Sequence, residues 1–184
     1  MSDFFYNSDI SQQQAESLVS ETLHKCDDGE LFLENTKSES LLLDDGKIKN
    51  TSFDTSLGYG LRAVIEDKTA FSHSNIISKK SLTDAAQNIK SNMVTNKNIN
   101  KQENPKRTNT KLYKDQNPIE TKSFEDKVEL LKKIDEYVRQ KNTGIKQVTA
   151  SFSGEHQSIQ IIKPDGQIYN CLLYTSPSPR DVRS

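Results

Sequence analysis

Between Gly29 and Asn75 the chain alternates apolar and polar residues and reverses twice, and this stretch limits what the remainder can fold into. Asp44-Asp45-Gly46 is a hairpin signal, because such turns need positive φ, which Gly adopts freely and Asp tolerates. Glu66-Asp67-Lys68 marks a second, charged turn. The alternation predicts five short strands: Leu31 to Glu34, Glu39 to Leu43, Ile48 to Thr55, Leu57 to Ile65 and Thr69 to His73. Asn35-Thr36-Lys37 is expected as a polar turn between the first two. Short strands with short connections imply an antiparallel sheet with one solvated face.

Helices are expected on either side. Ser11 and Gln14 stand at capping-box spacing, and Ala15, Leu18, Val19, Leu23 and Cys26 follow at helical intervals. The helix should stop near Asp27-Asp28-Gly29, with Gly29 left-handed and Cys26 a small core residue. Residues 1–10 are expected to be disordered. A second helix opens at Ser78, with Leu82, Ala85, Ala86, Ile89 and Met93 on one stripe. A third begins at Ser123, boxed by Asp126, with Phe124, Val128, Leu131, Ile134 and Val138 as its apolar face, and ends at Gly144. Two strands follow, Lys146 to Ser153 and Ser158 to Lys163, joined by a Gly154-Glu155 turn. Pro164-Asp165-Gly166 then leads into Gln167 to Asn170. Together these predict an α+β fold, an antiparallel meander sheet covered by helices in two layers. One domain is expected over residues 11–170, with the Asn- and Lys-rich residues 94–118 as a flexible loop inside it.

Composition excludes more than it selects. Lys and Arg number 25 against 26 Asp and Glu, a net charge of −1, so no global field favours nucleic acid or an anionic membrane. The lysines of 94–118 read as a solvated loop rather than a nucleic-acid patch. No run approaches the roughly 18 apolar residues of a membrane span, and the first residues lack the basic and apolar regions of a secretory signal. A cytoplasmic protein is expected. Hydrophobic residues make up 32% of the chain, which implies a thin core.

No catalytic or metal-ligating constellation emerges. Gly58-x-Gly60 lies inside a strand pattern and lacks the third glycine and following helix of a dinucleotide fingerprint, so a bulge or close backbone packing accounts for it. His24 falls just off the first helix stripe, His73 has no acid placed near it in sequence, and His156 is expected at a turn tip. Cys26 and Cys171 have no partner at metal spacing. Asp44, Asp45 and Asp54 would attract a cation, but turn chemistry explains the first two. No catalytic, cofactor-binding or metal residue is assigned. The segment Cys171 to Ser184, with Ser-Pro-Ser-Pro-Arg, breaks all periodicity and resembles translated adaptor sequence; 171–184 is set aside as a non-native tail, the alternative being a disordered C-terminus.

Several ordered runs resemble the N-terminal domain of the TldD/PmbA (TldD/TldE) metalloprotease family, once described as modulators of DNA gyrase. They are Leu31-Phe32-Leu33-Glu34, Ser38-Glu39-Ser40, Leu43-Asp44-Asp45-Gly46-Lys47-Ile48, Gly58-Tyr59-Gly60-Leu61-Arg62-Ala63-Val64 and Lys68-Thr69-Ala70-Phe71-Ser72-His73-Ser74. Leu130-Leu131-Lys132-Lys133-Ile134-Asp135 and Ile161-Ile162-Lys163-Pro164-Asp165-Gly166 continue the series. The Ser-Glu-Ser and Thr-Ala-Phe-Ser runs look more like the TldD branch. The resemblance implies a substrate-channel and dimerisation domain of a cytoplasmic zinc peptidase that degrades or trims unfolded peptides beside a TldE/PmbA-like subunit. The family binds zinc through His-Glu-x-x-x-His and a distant Cys in a C-terminal domain. This sequence has no such motif, and neither Cys26 nor Cys171 maps onto that ligand, so zinc is expected only in a domain missing from the chain. The alternative is a non-catalytic interaction module, either a TldE/PmbA-like partner subunit or a free-standing binding domain; the partner expected in either case is a TldE/PmbA-like subunit or, by self-association, a second copy.

Overall fold

The structure is a computed structural model and describes residues 4–92, 117 and 119–175. Its elements run α1 (Gln12–Leu23), β1 (Asp28–Asp44), β2 (Lys47–Ile65), β3 (Lys68–Ser74), α2 (Lys79–Asn92), α3 (Phe124–Lys141), β4 (Thr149–Ile162) and β5 (Ile168–Thr175). The strands form one antiparallel sheet in the order β3-β2-β1-β4-β5, giving the expected α+β class. The late strands do join the same sheet, but beside β1 rather than beyond β3.

The strands are fewer and longer than the sequence suggested. Asn35-Thr36-Lys37 is continuous strand within β1, not a turn. Leu31, Leu33, Leu41 and Leu43 are all buried and all odd-numbered, so the period of two never breaks and no reversal is needed. β2 runs likewise through Ser56, and β4 through Gly154-Glu155. The reversals that do occur carry the required backbone: Asp45 (φ 48) with Gly46 (φ 70), Glu66 (φ 52), and Gly166 (φ 83).

The described residues fall into two compact units, the first drawn from Met1–Asn35, Ser56–Tyr113 and Ser158–Leu172, the second from Thr36–Thr55, Lys114–Gln157 and Leu173–Ser184. The first unit's core joins Leu31, Leu33, Leu61 and Ala63 of the sheet to Ala15, Val19 and Leu23 of α1 and to Leu82, Ala85, Ala86 and Ile89 of α2. Ser11 caps α1 in the expected box with Gln14. Phe4, Phe5 and Ile10, expected to be disordered, are buried in this core. The segment is tied down by Ser8 Oγ donating to Ile77 O (2.7 Å) and by Asp9 Oδ1 accepting from Lys79 N (2.7 Å). Gly29 does not stop α1, which ends at His24; it lies in β1, where an added Cβ would sit 2.6 Å from Arg62 O and 2.9 Å from Leu23 Cδ1. The glycine serves close backbone approach.

The second unit has a smaller core: Leu41, Leu43 and Leu131, flanked by Ile48, Val128, Ala150 and Phe152. α3 carries its predicted capping box at Ser123 and Asp126. Its buried face differs, being Lys127, Leu131 and Asp135, while Phe124 and Ile134 stay exposed. Two charges can face inward because each has a fixed partner, as described below. β5 runs to Thr175, five residues into the segment set aside as a tail. The remainder of that segment, Met93 and the loop expected at 94–118, Asn117 and Ile119 onward apart, lie outside the described residues.

Candidate functional site

In the second unit, α3 and β1 together bury an ion pair. Lys127 Nζ donates to Glu39 Oε2 (2.5 Å) and to Ile119 O (2.6 Å), and it lies 5.8 Å from the Phe152 ring centroid. The two side chains are only 7% and 9% exposed. Beside them lies a groove of about 450 Å³ whose lining includes Ile119, Lys122, Leu130, Phe152 and Gly154. Such a concave, largely apolar surface can take an apolar side chain. Lys127 is held by two strong acceptors, so it acts as a fixed structural cation rather than a nucleophile.

The Asp44-Asp45 hairpin belongs to the same unit. Asp44 Oδ1 accepts from Gln147 Nε2 (2.9 Å) and Thr149 Oγ1 (3.1 Å); Asp45 Oδ1 accepts from Arg139 Nη2 (2.5 Å) and Val148 N (3.3 Å). Asp135 also binds Arg139, which explains its burial. Hydrogen bonds from Gln147 first, then Thr149, hold the Asp44 carboxyl below its usual range. Protein donors therefore occupy the place a cation would take, and Asp54 stands exposed.

The first unit contains a charge cluster. Arg62 donates from Nε to Glu30 Oε1 (2.6 Å) and from Nη2 to Asp28 Oδ2 (2.6 Å) and Glu30 Oε2 (3.0 Å). Lys163 Nζ reaches Asp28 Oδ1 (3.0 Å) and Glu30 Oε2 (2.7 Å). Burial alone would raise both carboxyls, but the Arg62 and Lys163 hydrogen bonds outweigh it and leave both below the usual carboxylate range. Folded-state values lie below unfolded ones, so the stabilisation is complete above about pH 5 and is lost as pH falls through the depressed values. The thermal midpoint should therefore drop on acidification below that range, and Arg62→Met should flatten the decline. A variant melting with the parent's pH slope would contradict this.

The residues singled out in the sequence are not brought together. His24 Nδ1 donates to Glu21 O (2.8 Å) at the end of α1, and His73 stacks on Phe71 with centroids 5.6 Å apart. His156 is buried in the middle of β4 rather than at a turn tip, because its neighbours continue the strand alternation. Cys26 packs against the first core, and burial, followed by the charge of Asp27, pushes its thiol up; Cys171 is exposed on β5. Gly60 sits in regular register opposite His73 of β3, and Gly58 lies just before the first pair, Tyr59 with Ser74, where an added Cβ would sit 3.0 Å from Ser74 O, so close packing explains both. A Cβ on Gly60 would meet the Phe71 ring at 2.8 Å. Among the described residues no group of three or more His, Cys, Asp or Glu could hold a metal, so they do not fit a zinc ion. No described helix is long and apolar enough to cross a membrane.

Family models identify both halves of the chain. Residues 29–92 match "PmbA/TldA metallopeptidase domain 1", and residues 117–170 match "PmbA/TldA metallopeptidase central domain". The chain belongs to the TldD/PmbA metallopeptidase family. The single domain expected over 11–170 thus spans two family domains. Metalloprotease TldD homologs from Haemophilus influenzae and Buchnera aphidicola (from Acyrthosiphon pisum) are 31% and 28% identical over 149 and 142 residues. Each alignment covers 77% of this chain but only 30% and 29% of the relative, so the chain spans under a third of their length. Among solved structures, TldE from Thermococcus kodakarensis shares the fold with a TM-score of 0.62 and 16% identity, over 86% of this chain and 36% of TldE. A Thermotoga maritima protein described as a modulator of a DNA gyrase does so with a TM-score of 0.59 and 16% identity, over 80% and 33%.

Neither the Lys127–Glu39 pair nor the Arg62 cluster was visible beforehand. Lys127 shares a helical row with Leu131 and Asp135, which hints at an inward cation, but nothing local names a partner 88 positions away.

Proposed function

We propose that this chain forms the non-catalytic part of a TldD-like zinc peptidase in the cytoplasm. It would guide unfolded peptides toward a catalytic domain carried elsewhere and meet a TldE/PmbA-like subunit. The supporting observation is the pair of matches, to the first and central domains of a metallopeptidase family, in a chain spanning under a third of its relatives. The groove bordered by Ile119, Leu130 and Phe152 suits the guiding role, because its apolar wall has room for an apolar side chain. Zinc and the hydrolytic step belong, in this reading, to the remaining length of the family protein.

Metal analysis and a peptide-cleavage assay on the purified chain test the division of labour. Expected results are zinc far below one per chain and no cleavage; one tightly held zinc with peptidase activity would overturn it. Size-exclusion chromatography with a TldE-type subunit tests the contact, and separate elution at all ratios would remove that half.

A further inference from the structure

In the first unit, the outer edge of β3 has no described strand beside it. β3 ends the sheet order and pairs only with β2, in an unbroken register from Tyr59 with Ser74 to Ile65 with Lys68. Val64 O accepts from Asp27 N on the β1 side, so Val64 makes no ladder bonds to Thr69, its β3 partner. Parity then turns the N–H and C=O groups of Thr69, Phe71 and His73 outward. This regular edge carries none of the usual protections: it has no proline and no bulge, and its one formal charge, Lys68, stands at the end.

Alongside this edge lies a cleft of about 480 Å³ between β3 and α2. Thr69, Ala70 and Phe71 line one side, and Asn88, Ile89 and Asn92 the other. Ile89, 1% exposed, gives an apolar floor, while Asn88 and Asn92 are exposed carboxamides that both donate and accept. Ala70 packs on the core, so Phe71 and His73 project from the other face of the strand, with Phe71 62% exposed. A polar-rimmed cleft beside an unpaired edge offers main-chain hydrogen bonds with room for a side chain, the chemistry of strand addition.

We propose that an extended peptide adds to this edge as a further strand, antiparallel to β3, with one apolar side chain in the cleft against Ile89 and the next against Phe71. This rests on the peptide-guiding reading above and gives that role a place. Pairing through the main chain reads backbone rather than sequence, which suits unfolded chains of varied composition. Charge agrees with the direction. Antiparallel entry brings the peptide's C-terminal side to Lys68, an exposed cation with no ion pair among the described residues. An acidic residue or a terminal carboxylate meets its opposite charge there.

A fluorescein-labelled octapeptide of alternating valine and serine with a free carboxylate, followed by anisotropy against the full chain, should bind. The same peptide N-methylated at every amide has no donors to pair and should not. Phe71→Pro removes an outward N–H at mid-edge and leaves the β2 ladder whole, and Asn88→Trp fills the cleft from α2; each should weaken binding about tenfold or more. Phe71→Thr keeps the N–H and should cost clearly less than Phe71→Pro. Should Phe71→Pro unfold the chain by circular dichroism, the N-methylated peptide and Asn88→Trp decide. Binding that survives both N-methylation and Phe71→Pro would put the peptide elsewhere, overturning this site and leaving the guiding role intact. No binding to the parent chain would overturn both. A Phe71→Pro variant altered only in self-association would assign the edge to a second copy and overturn the proposal.

Discussion

Lys127→Met is expected to lower the unfolding free energy of its unit by about 3–5 kcal/mol, because it strands a buried carboxylate. Glu39 would lose the ammonium at 2.5 Å, and the Ile119 carbonyl would lose a donor at 2.6 Å. Methionine keeps the aliphatic stem, so contacts with Phe152 persist and the loss is electrostatic. Joint replacement, Lys127→Met with Glu39→Leu, should recover most of the stability, since well-packed apolar groups often substitute for a buried pair at little cost. Urea unfolding followed by circular dichroism would measure both. A single variant within about 1 kcal/mol of the parent would show that the pair is not desolvated as the structure has it.

Leu33→Ala should cost about 2–5 kcal/mol, and Leu43→Ala a comparable amount, but in different places. Both leucines are 0% exposed on the same strand, yet Leu33 packs in the core with α1 and α2 and Leu43 in the core with Leu131. Hydrogen exchange by mass spectrometry should therefore show lost protection in α1 and α2 for Leu33→Ala and in α3 for Leu43→Ala. Uniform loss across all three helices in both variants would mean that the two cores unfold as one.

Helix starts were legible because caps are local: Ser11 with Gln14 and Ser123 with Asp126 fix their own neighbours. The Asp45-Gly46 turn was legible for the same reason. The strand count was not. Polar residues at Asn35–Lys37 and a glycine at Gly154 look like turns, and only the unbroken parity of Leu31, Leu33, Leu41 and Leu43 argues otherwise. The inward face of α3 was misplaced because Lys127 and Asp135 are buried through partners supplied across the fold. Phe4 and Phe5 were missed because a short apolar cluster has no period to reveal it. Family membership was legible from ordered runs of residues, whereas the charge clusters were not, since each assembles residues far apart in sequence.

The central place of β1 has a consequence for how the protein is made. β2 follows β1 after a tight turn, but Thr149, where β4 begins, bonds to Asp44 across 105 positions. At ribosomal rates of about 5–20 residues per second, the side of β1 that β4 will cover waits roughly 5–20 s for its partner strand. During that interval a nascent chain presents a central, leucine-rich edge that any other extended segment can pair with. Insoluble material from rapid synthesis would then arise from the half-made chain, and slower translation or a ribosome-bound chaperone should raise the soluble yield without any change to the native fold.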